Sequence, residues 1–152
     1  MGTMLCFITT DCAISANMMK KALLFYVDKT FNRVTVDGDT STNDMCVVMA
    51  NGMAGNKEIT EENESYDAYC EALHAVMKDL ARKIAGDGEG ASRLITCTVT
   101  GAEDEAKAEI LAKSIASSSR QKRLCLDRMP TGGAFSAPWV IPALRLTRKQ
   151  FR

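Results

Sequence analysis

The sequence predicts an α/β fold built in layers, and three observations support this prediction. Short runs of apolar and β-branched residues alternate with longer segments whose apolar residues recur at helical spacing. Over residues 1–119 the order is strand, helix, strand, helix, strand, helix, and such alternation is typical of helices packed on a sheet. With 46% hydrophobic and 25% charged residues, the chain has the composition of a globular protein with one modest core.

The first half of this pattern contains two predicted strands and one helix. Residues 4–10 (MLCFITT) form a short apolar run that ends at Asp11 and predict a buried strand. An amphipathic helix follows and ends near Phe31. Its apolar positions are Ile14, Met18, Ala22, Phe25 and Tyr26. Residues 34–44 predict a short extended piece and a polar loop, residues 45–50 a second buried strand, and Asn51-Gly52 a turn.

The second half begins with the clearest helix, over residues 65–85. Acidic residues lie at its N-terminal end, basic residues at its C-terminal end, and Gly86 follows as a stop signal. Its predicted buried stripe consists of Tyr69, Leu73, Val76, Met77, Leu80 and Ile84. Residues 94–100 (LITCTVT) predict a third strand, and residues 103–117 a third helix.

The charge distribution divides the chain near residue 120. The net charge is zero, yet residues 120–152 carry eight basic side chains against Asp127 alone, together with all three prolines. This region shows neither strand nor helix periodicity. Its composition fits a disordered basic extension or a nucleic-acid-binding arm.

Several classes of protein and site are excluded by simple counts. No window approaches the ~18 consecutive apolar residues of a membrane span, and the N-terminus does not resemble a signal peptide, so a cytoplasmic location is expected. Six cysteines are scattered without a CxxC pair and His74 is the only histidine. We therefore expect no metal site, and we expect free, buried thiols. His74 falls on a polar helix face and receives no catalytic role.

Three segments could carry chemistry. Thr3 begins the first strand, and it would become an activated nucleophile if the chain were cut before it, since the freed α-amine could act as base. The acidic residues 37–44 could bind calcium, but they lack the EF-hand spacing, which favours a structured turn. Residues 86–93 contain three glycines around Glu89, a candidate partner for an ammonium group. A plain helix-to-strand connection is the alternative.

Four segments carry a family resemblance: GTMLCFITTDCAIS, TFNRVTVDGDTSTNDMCVVMANGMAGN, DGEGASRLITCTVTGA and AKSIASS. In order and spacing they resemble the second half of the ornithine acetyltransferase family of arginine biosynthesis, over residues 1–119. The resemblance implies an N-terminal-nucleophile-like fold. It also implies a precursor that cleaves itself between Gly2 and Thr3, so that Thr3 becomes the first residue of the β chain and the catalytic nucleophile.

The resemblance further implies a bifunctional glutamate N-acetyltransferase. Thr3 would take the acetyl group of N-acetylornithine, release ornithine and pass the acetyl group to glutamate, with acetyl-CoA as a further donor in some members. No metal or other cofactor is implied, and neither is a nucleic-acid or membrane partner. Glu89 matches a substrate-binding glutamate. The oxyanion donors of the family belong to an α chain, with which the β chain forms an α2β2 assembly.

Two departures from the family pattern shape the expectation. The sequence starts at Met1-Gly2, without the α half, so we expect an incomplete β chain that is inactive alone. A non-catalytic remnant or binding module is one alternative. An N-terminal-nucleophile amidase or aminopeptidase of related fold is another.

The second departure is that the resemblance stops near Ser119. Read one base out of frame, the codons for residues 128–151 can encode DANWGR and then GYSGA, two segments that the family carries at this spacing. This predicts two regions: residues 1–119 as the β-chain portion, and residues 120–152 as an aberrant, frameshifted and poorly ordered tail.

Overall fold

The computed structural model describes residues 3–36, 41–87, 93–118 and 141–148. The chain divides into two compact units. Unit 1 consists of Met1–Val34 and Asp39–Lys83, and unit 2 of Thr35–Gly38 and Ile84–Arg152. The elements in chain order are β1 (Leu5–Thr10), α1 (Ala16–Lys29), a 3-10 helix (Phe31–Arg33), β2 (Met45–Ala50), α2 (Glu64–Gly86), β3 (Arg93–Thr100), α3 (Glu105–Ser117) and β4 (Ile141–Arg148).

In unit 1, β1 and β2 form a parallel pair. Leu5 lies beside Met45, and the register continues to Thr10 beside Ala50. Two parallel neighbours need a crossover connection, which α1 provides. Because side chains alternate along a strand, one face of the pair carries Cys6, Ile8 and Val48, which are buried.

The opposite face of the pair is apolar and exposed. Its exposed residues are Leu5 (59%), Phe7 (58%), Met45 (40%) and Met49 (47%). Leu5, Phe7 and Thr9 point to the same face because they alternate along β1. Met45 is the register partner of Leu5 and Met49 that of Thr9, so both methionines point to this face as well. We call these four residues the exposed strand face.

The helix α2 contributes five buried residues to the core of unit 1. Its buried residues are Tyr66, Tyr69, Leu73, Met77 and Ala81, of which Met77 is completely buried. The predicted positions Tyr69, Leu73 and Met77 are confirmed. Val76 is 45% exposed, so its placement in the buried stripe was wrong: the stripe is centred between Leu73 and Met77, and Val76 lies at its edge, about 100° around the helix from Met77.

The loop after β2 turns as the Asn-Gly pair predicts. Gly52 has φ +71°, in the left-handed region that glycine adopts without strain. Asn56 ties the loop to the segment after β1, because its Oδ1 accepts from the Ala13 amide at 2.9 Å and its Nδ2 donates to the Ala13 carbonyl at 3.0 Å.

In unit 2, β3 and β4 form an antiparallel pair, from Arg93 beside Arg148 to Thr100 beside Ile141. The sequence gives no strand signal over β4 because Pro142 interrupts its apolar run; the strand is defined by its pairing with β3. The rest of the tail, residues 119–140 and 149–152, lies outside the described residues, so the division at residue 119 and the poor order of the tail stay predictions.

No helix within the described ranges is long and apolar enough to cross a membrane.

Candidate active site at the start of the parallel strands

Thr3 lies two residues before β1, and its side chain is exposed. The register of β1 and β2 pairs Leu5 with Met45, so the residues just before the two strands are also neighbours. Thr3 Oγ1 accepts a hydrogen bond from Asn43 Nδ2 at 2.7 Å. The predicted nucleophile is therefore held by a residue 40 positions further along the chain.

The Asn43 amide is itself oriented by Ser41. Ser41 Oγ donates to Asn43 Oδ1 at 3.1 Å. In the structure the Asn43 amide turns its oxygen to Ser41 and its nitrogen to Thr3. The Thr3 hydroxyl thus accepts from Asn43 and keeps its own proton available for a base.

The backbone that follows Thr3 is fixed by residues at the start of β2. The Met4 amide donates to Asp44 Oδ1 at 2.8 Å, and the Met45 amide donates to the Met4 carbonyl at 2.8 Å. The side chain of Met4 is buried. Consecutive residues, Asn43 and Asp44, therefore hold the Thr3 hydroxyl and the peptide after it.

A partly open pocket of about 180 Å³ lies close to this point. It is lined by Met4, Val27, Phe31, Asn32, Asp44 and Cys46. Side chains alternate along the chain here, since Met4 is buried while Thr3 and Leu5 are exposed. The pocket therefore lies behind the Thr3 hydroxyl, which sits on the side of the exposed strand face.

One residue that lines this pocket, Cys46, belongs to a pair of thiols. Cys6 and Cys46 are register partners on β1 and β2. Burial and the neighbouring Cys6 raise the pKa of the Cys46 thiol. A thiol in this state is a weak nucleophile, so the pair is a packing element and does not compete with Thr3 for the chemistry.

Other predicted site residues meet different outcomes. Gly2, Glu89 and residues 37–40 of the polar loop lie outside the described residues, so their roles stay predictions. The ring of His74 stacks on Tyr26 with centroids 4.9 Å apart, and no catalytic role is assigned to it. The described cysteines are free thiols: Cys6, Cys12, Cys46, Cys70 and Cys97. Within the described ranges, no group of three or more His, Cys, Asp and Glu side chains could hold a metal ion.

Asn43 and Asp44 were missed as site residues in the sequence, although a signal was present. TML and NDM each stand immediately before a predicted buried strand. If the two strands are parallel neighbours, the residues before them must meet at one edge of the sheet.

The family model described as ArgJ family matches residues 1–127. The arginine biosynthesis bifunctional protein ArgJ of Staphylococcus epidermidis is 47% identical over 137 residues, which cover 90% of this chain and 34% of that protein. The protein of the same name from Listeria monocytogenes serotype 4b is 53% identical over 122 residues, covering 80% and 31%. This chain thus spans about a third of the length of the curated relatives it matches.

A solved structure supports the same relationship. The crystal structure of the arginine biosynthesis bifunctional protein from Bacillus halodurans is similar with a TM-score of 0.75 and 40% identity, over 84% of this chain and 58% of that one. The predicted α/β fold is confirmed by this match, and the partial coverage of the solved chain fits a partial domain.

Proposed function

The chain belongs to the ArgJ family, and on that premise we propose that it carries the nucleophile of a glutamate N-acetyltransferase of arginine biosynthesis that uses N-acetylornithine as acetyl donor. One observation carries the proposal. The family resemblance puts the catalytic threonine at Thr3. Just before β1, Thr3 Oγ1 accepts a hydrogen bond from Asn43 Nδ2 at 2.7 Å.

The proposed reaction proceeds by two acyl transfers. Thr3 Oγ1 attacks the acetyl carbonyl of N-acetylornithine, its proton passes to the α-amine of Thr3, and the amide C–N bond breaks as ornithine leaves with that proton. The product is an acetyl ester on Thr3. The glutamate amine then attacks the ester, the bond between the acetyl carbon and Oγ1 breaks, and a proton from that amine passes through the α-amine of Thr3 to Oγ1, which restores the hydroxyl. Dividing one hard transfer into two steps in this way requires an activated hydroxyl and no metal.

The α-amine of Thr3 is free only after cleavage between Gly2 and Thr3. Chain lengths within the family support such cleavage. This chain covers 34% of the S. epidermidis protein but 58% of the solved B. halodurans chain, so the solved chain is only about half as long as the curated relative. A precursor divided into two chains would give this ratio.

The exposed strand face supports a partner for this chain. Parallel strands are normally covered on both faces, yet Leu5 and Phe7 are more than half exposed. We propose that the α chain of the family covers this face, supplies the oxyanion donors in front of Thr3, and completes an α2β2 assembly. Stabilising the developing oxyanion is a large part of acyl-transfer catalysis, so the chain alone should transfer acetyl groups poorly.

The remaining assignments also belong to the proposal. Glu89 would bind the ammonium group of the substrate, and acetyl-CoA would serve as an alternative donor without any resident cofactor. A biosynthetic enzyme of bacterial relatives fits the cytoplasmic location that the sequence predicts.

The proposal is tested with this chain co-produced with the part of the L. monocytogenes ArgJ protein that precedes the matched region. Transfer of acetyl from N-acetylornithine to isotopically labelled glutamate is measured, and intact mass identifies the cleaved N-terminus. We expect Thr3→Ala to reduce transfer to background. Thr60→Ala is the control, since Thr60 is an exposed threonine of unit 1 outside both strands, and it should remain active.

Each other outcome has a defined meaning. Acetyl transfer that persists in Thr3→Ala would show that Thr3 is not the nucleophile. Release of free acetate without N-acetylglutamate would support an amidase instead. Full activity of the chain without the co-produced segment would show that the oxyanion donors are not supplied by a partner.

A further inference from the structure

We propose that Asn43 is a positioning residue for Thr3, and that Asp44 supports it by fixing the adjoining backbone. The Asn43 amide would orient the nucleophilic hydroxyl and stabilise the negative charge that Oγ1 gains as it attacks. The inference rests on the proposed role of Thr3 as nucleophile and extends it to the loop before β2.

The direction of the hydrogen bond is the first step. Asn43 Nδ2 can only donate, and it lies 2.7 Å from Thr3 Oγ1, at the short end of the range for such bonds. The hydroxyl proton must therefore point elsewhere, where a base can take it. As the proton leaves, the oxygen becomes negative. The hydrogen bond from Asn43 then becomes stronger, since hydrogen bonds to charged acceptors are stronger than those to neutral ones. The interaction thus favours the attacking state over the resting state.

The second step is that the amide is oriented before any substrate arrives. Ser41 Oγ donates to Asn43 Oδ1 at 3.1 Å, which leaves the Nδ2 end of the same amide on Thr3 Oγ1. A donor held ready in this way needs no reorganisation during the reaction.

The third step is the support given by Asp44. Its Oδ1 accepts from the Met4 amide at 2.8 Å, so the carboxylate is engaged with the backbone on the buried side of the strand. Both backbone groups of Met4 are then engaged, because its carbonyl also accepts from the Met45 amide. The residue that follows Thr3 is fixed, and Asn43 holds the Thr3 side chain.

The test compares the same substitution at two asparagines. Asn43→Asp keeps the shape but replaces the donor by a carboxylate, which cannot donate and repels charge on Oγ1. Asn51→Asp is the matched control at the other end of the strand pair, because Asn51 uses its Oδ1 to accept from the Met53 amide at 3.0 Å. A carboxylate preserves that bond. Both variants are made in the chain co-produced with the preceding segment, and both are checked by thermal unfolding.

We expect Asn43→Asp to lower kcat by roughly tenfold to a hundredfold, the range for losing a hydrogen bond to a charged group. The KM for N-acetylornithine should stay within about twofold, since no substrate contact is removed. Asn51→Asp should retain the original kcat. An unchanged kcat in Asn43→Asp would overturn the inference, and so would a change confined to KM, which would assign Asn43 to substrate binding.

A second probe separates this inference from the proposed function. Acetylation of Thr3 by p-nitrophenyl acetate, followed by peptide mass mapping, reports on the hydroxyl without either amino-acid substrate. Slower labelling in Asn43→Asp than in Asn51→Asp supports the inference even if N-acetylornithine proves not to be the donor. Equal labelling of Thr3 in the two variants contradicts it, whatever the donor.

Discussion

The side chains that the structure describes in unit 1 and in unit 2 differ in how far they are buried. Among the side chains that the structure describes, every buried apolar residue except Ile115 belongs to unit 1. In unit 2, β3 and β4 pair over eight residues each, but the described side chains of β3 are half-buried or exposed. A buried core confines side chains, whereas strand pairing fixes mainly the backbone.

This difference concerns the candidate site directly. Thr3, Asn43 and Asp44 all belong to unit 1, so the proposed nucleophile lies in the unit that holds most of the described buried side chains. A catalytic hydroxyl must keep its position within a fraction of an ångström, which needs a rigid support. The comparison therefore predicts that damage to the core of unit 1 should be costly and should reach the site.

The largest expected effect is on the core of unit 1. Met77 is 0% exposed, and truncating such a side chain leaves a cavity, so Met77→Ala should lower the free energy of unfolding by about 2–5 kcal/mol. Val76→Ala on the same helix is the control; Val76 is 45% exposed, and the cost should be within about 0.5 kcal/mol. Equilibrium unfolding in urea measures both. Equal costs would show that unit 1 lacks the core described above.

Helices and strands with a strong local sequence pattern were predicted from the sequence. The strand over residues 45–50 agrees with β2 without change, and the helix over 65–85 differs from α2 by one residue at each end. Both carry strong local signals: a β-branched run in one case, a helical stripe with oppositely charged ends in the other. Helix ends vary by a residue or two under any definition.

Features created by contacts between distant residues were not predicted. β4 becomes a strand through its pairing with β3, although Pro142 argues against it locally. Asn43 becomes part of the candidate site because the parallel register brings it to Thr3. Neither fact can be read from a window of neighbouring residues, whereas Thr3 was identified because the family resemblance names its position.

A medium effect is expected at alkaline pH, and it is specific to unit 1. All three tyrosines of the chain, Tyr26, Tyr66 and Tyr69, lie in unit 1. Burial raises the pKa of Tyr66 and Tyr69 to about 12, while tyrosine in an unfolded chain titrates near 10. Above that pH the unfolded state loses protons that the folded state keeps. The contribution of these two tyrosines to stability should therefore be constant below about pH 10 and be lost between about pH 10 and 12.

Tyrosinate absorbance and urea unfolding at increasing pH measure this loss. Tyr69→Phe is the informative variant, because the Tyr69 hydroxyl is buried and has no hydrogen-bond partner within the described part of the chain. The variant should reduce the alkaline loss of stability, and it should not destabilise the protein at pH 7, since no hydrogen bond is removed. Normal titration of all three tyrosines near pH 10 in the folded chain would contradict the burial of this region.

The smallest expected effect compares a helix cap in each unit. The Asp104 side chain accepts from the Lys107 amide at 2.7 Å at the start of α3 in unit 2, whereas Ser15 accepts from Met18 at 3.5 Å at the start of α1 in unit 1. Removing a good cap costs about 1 kcal/mol. Asp104→Ala should therefore speed amide exchange throughout α3, where Ile115 is the buried residue. Ser15→Ala should affect α1 less, because its bond is long and Ala22 anchors that helix in the core of unit 1. Asp104→Asn, which keeps the accepting oxygen, should restore slow exchange.

If Ser15→Ala instead had the greater effect, local caps rather than core burial would hold the helices of unit 1, and the contrast between the units would not explain the rigid placement of Thr3.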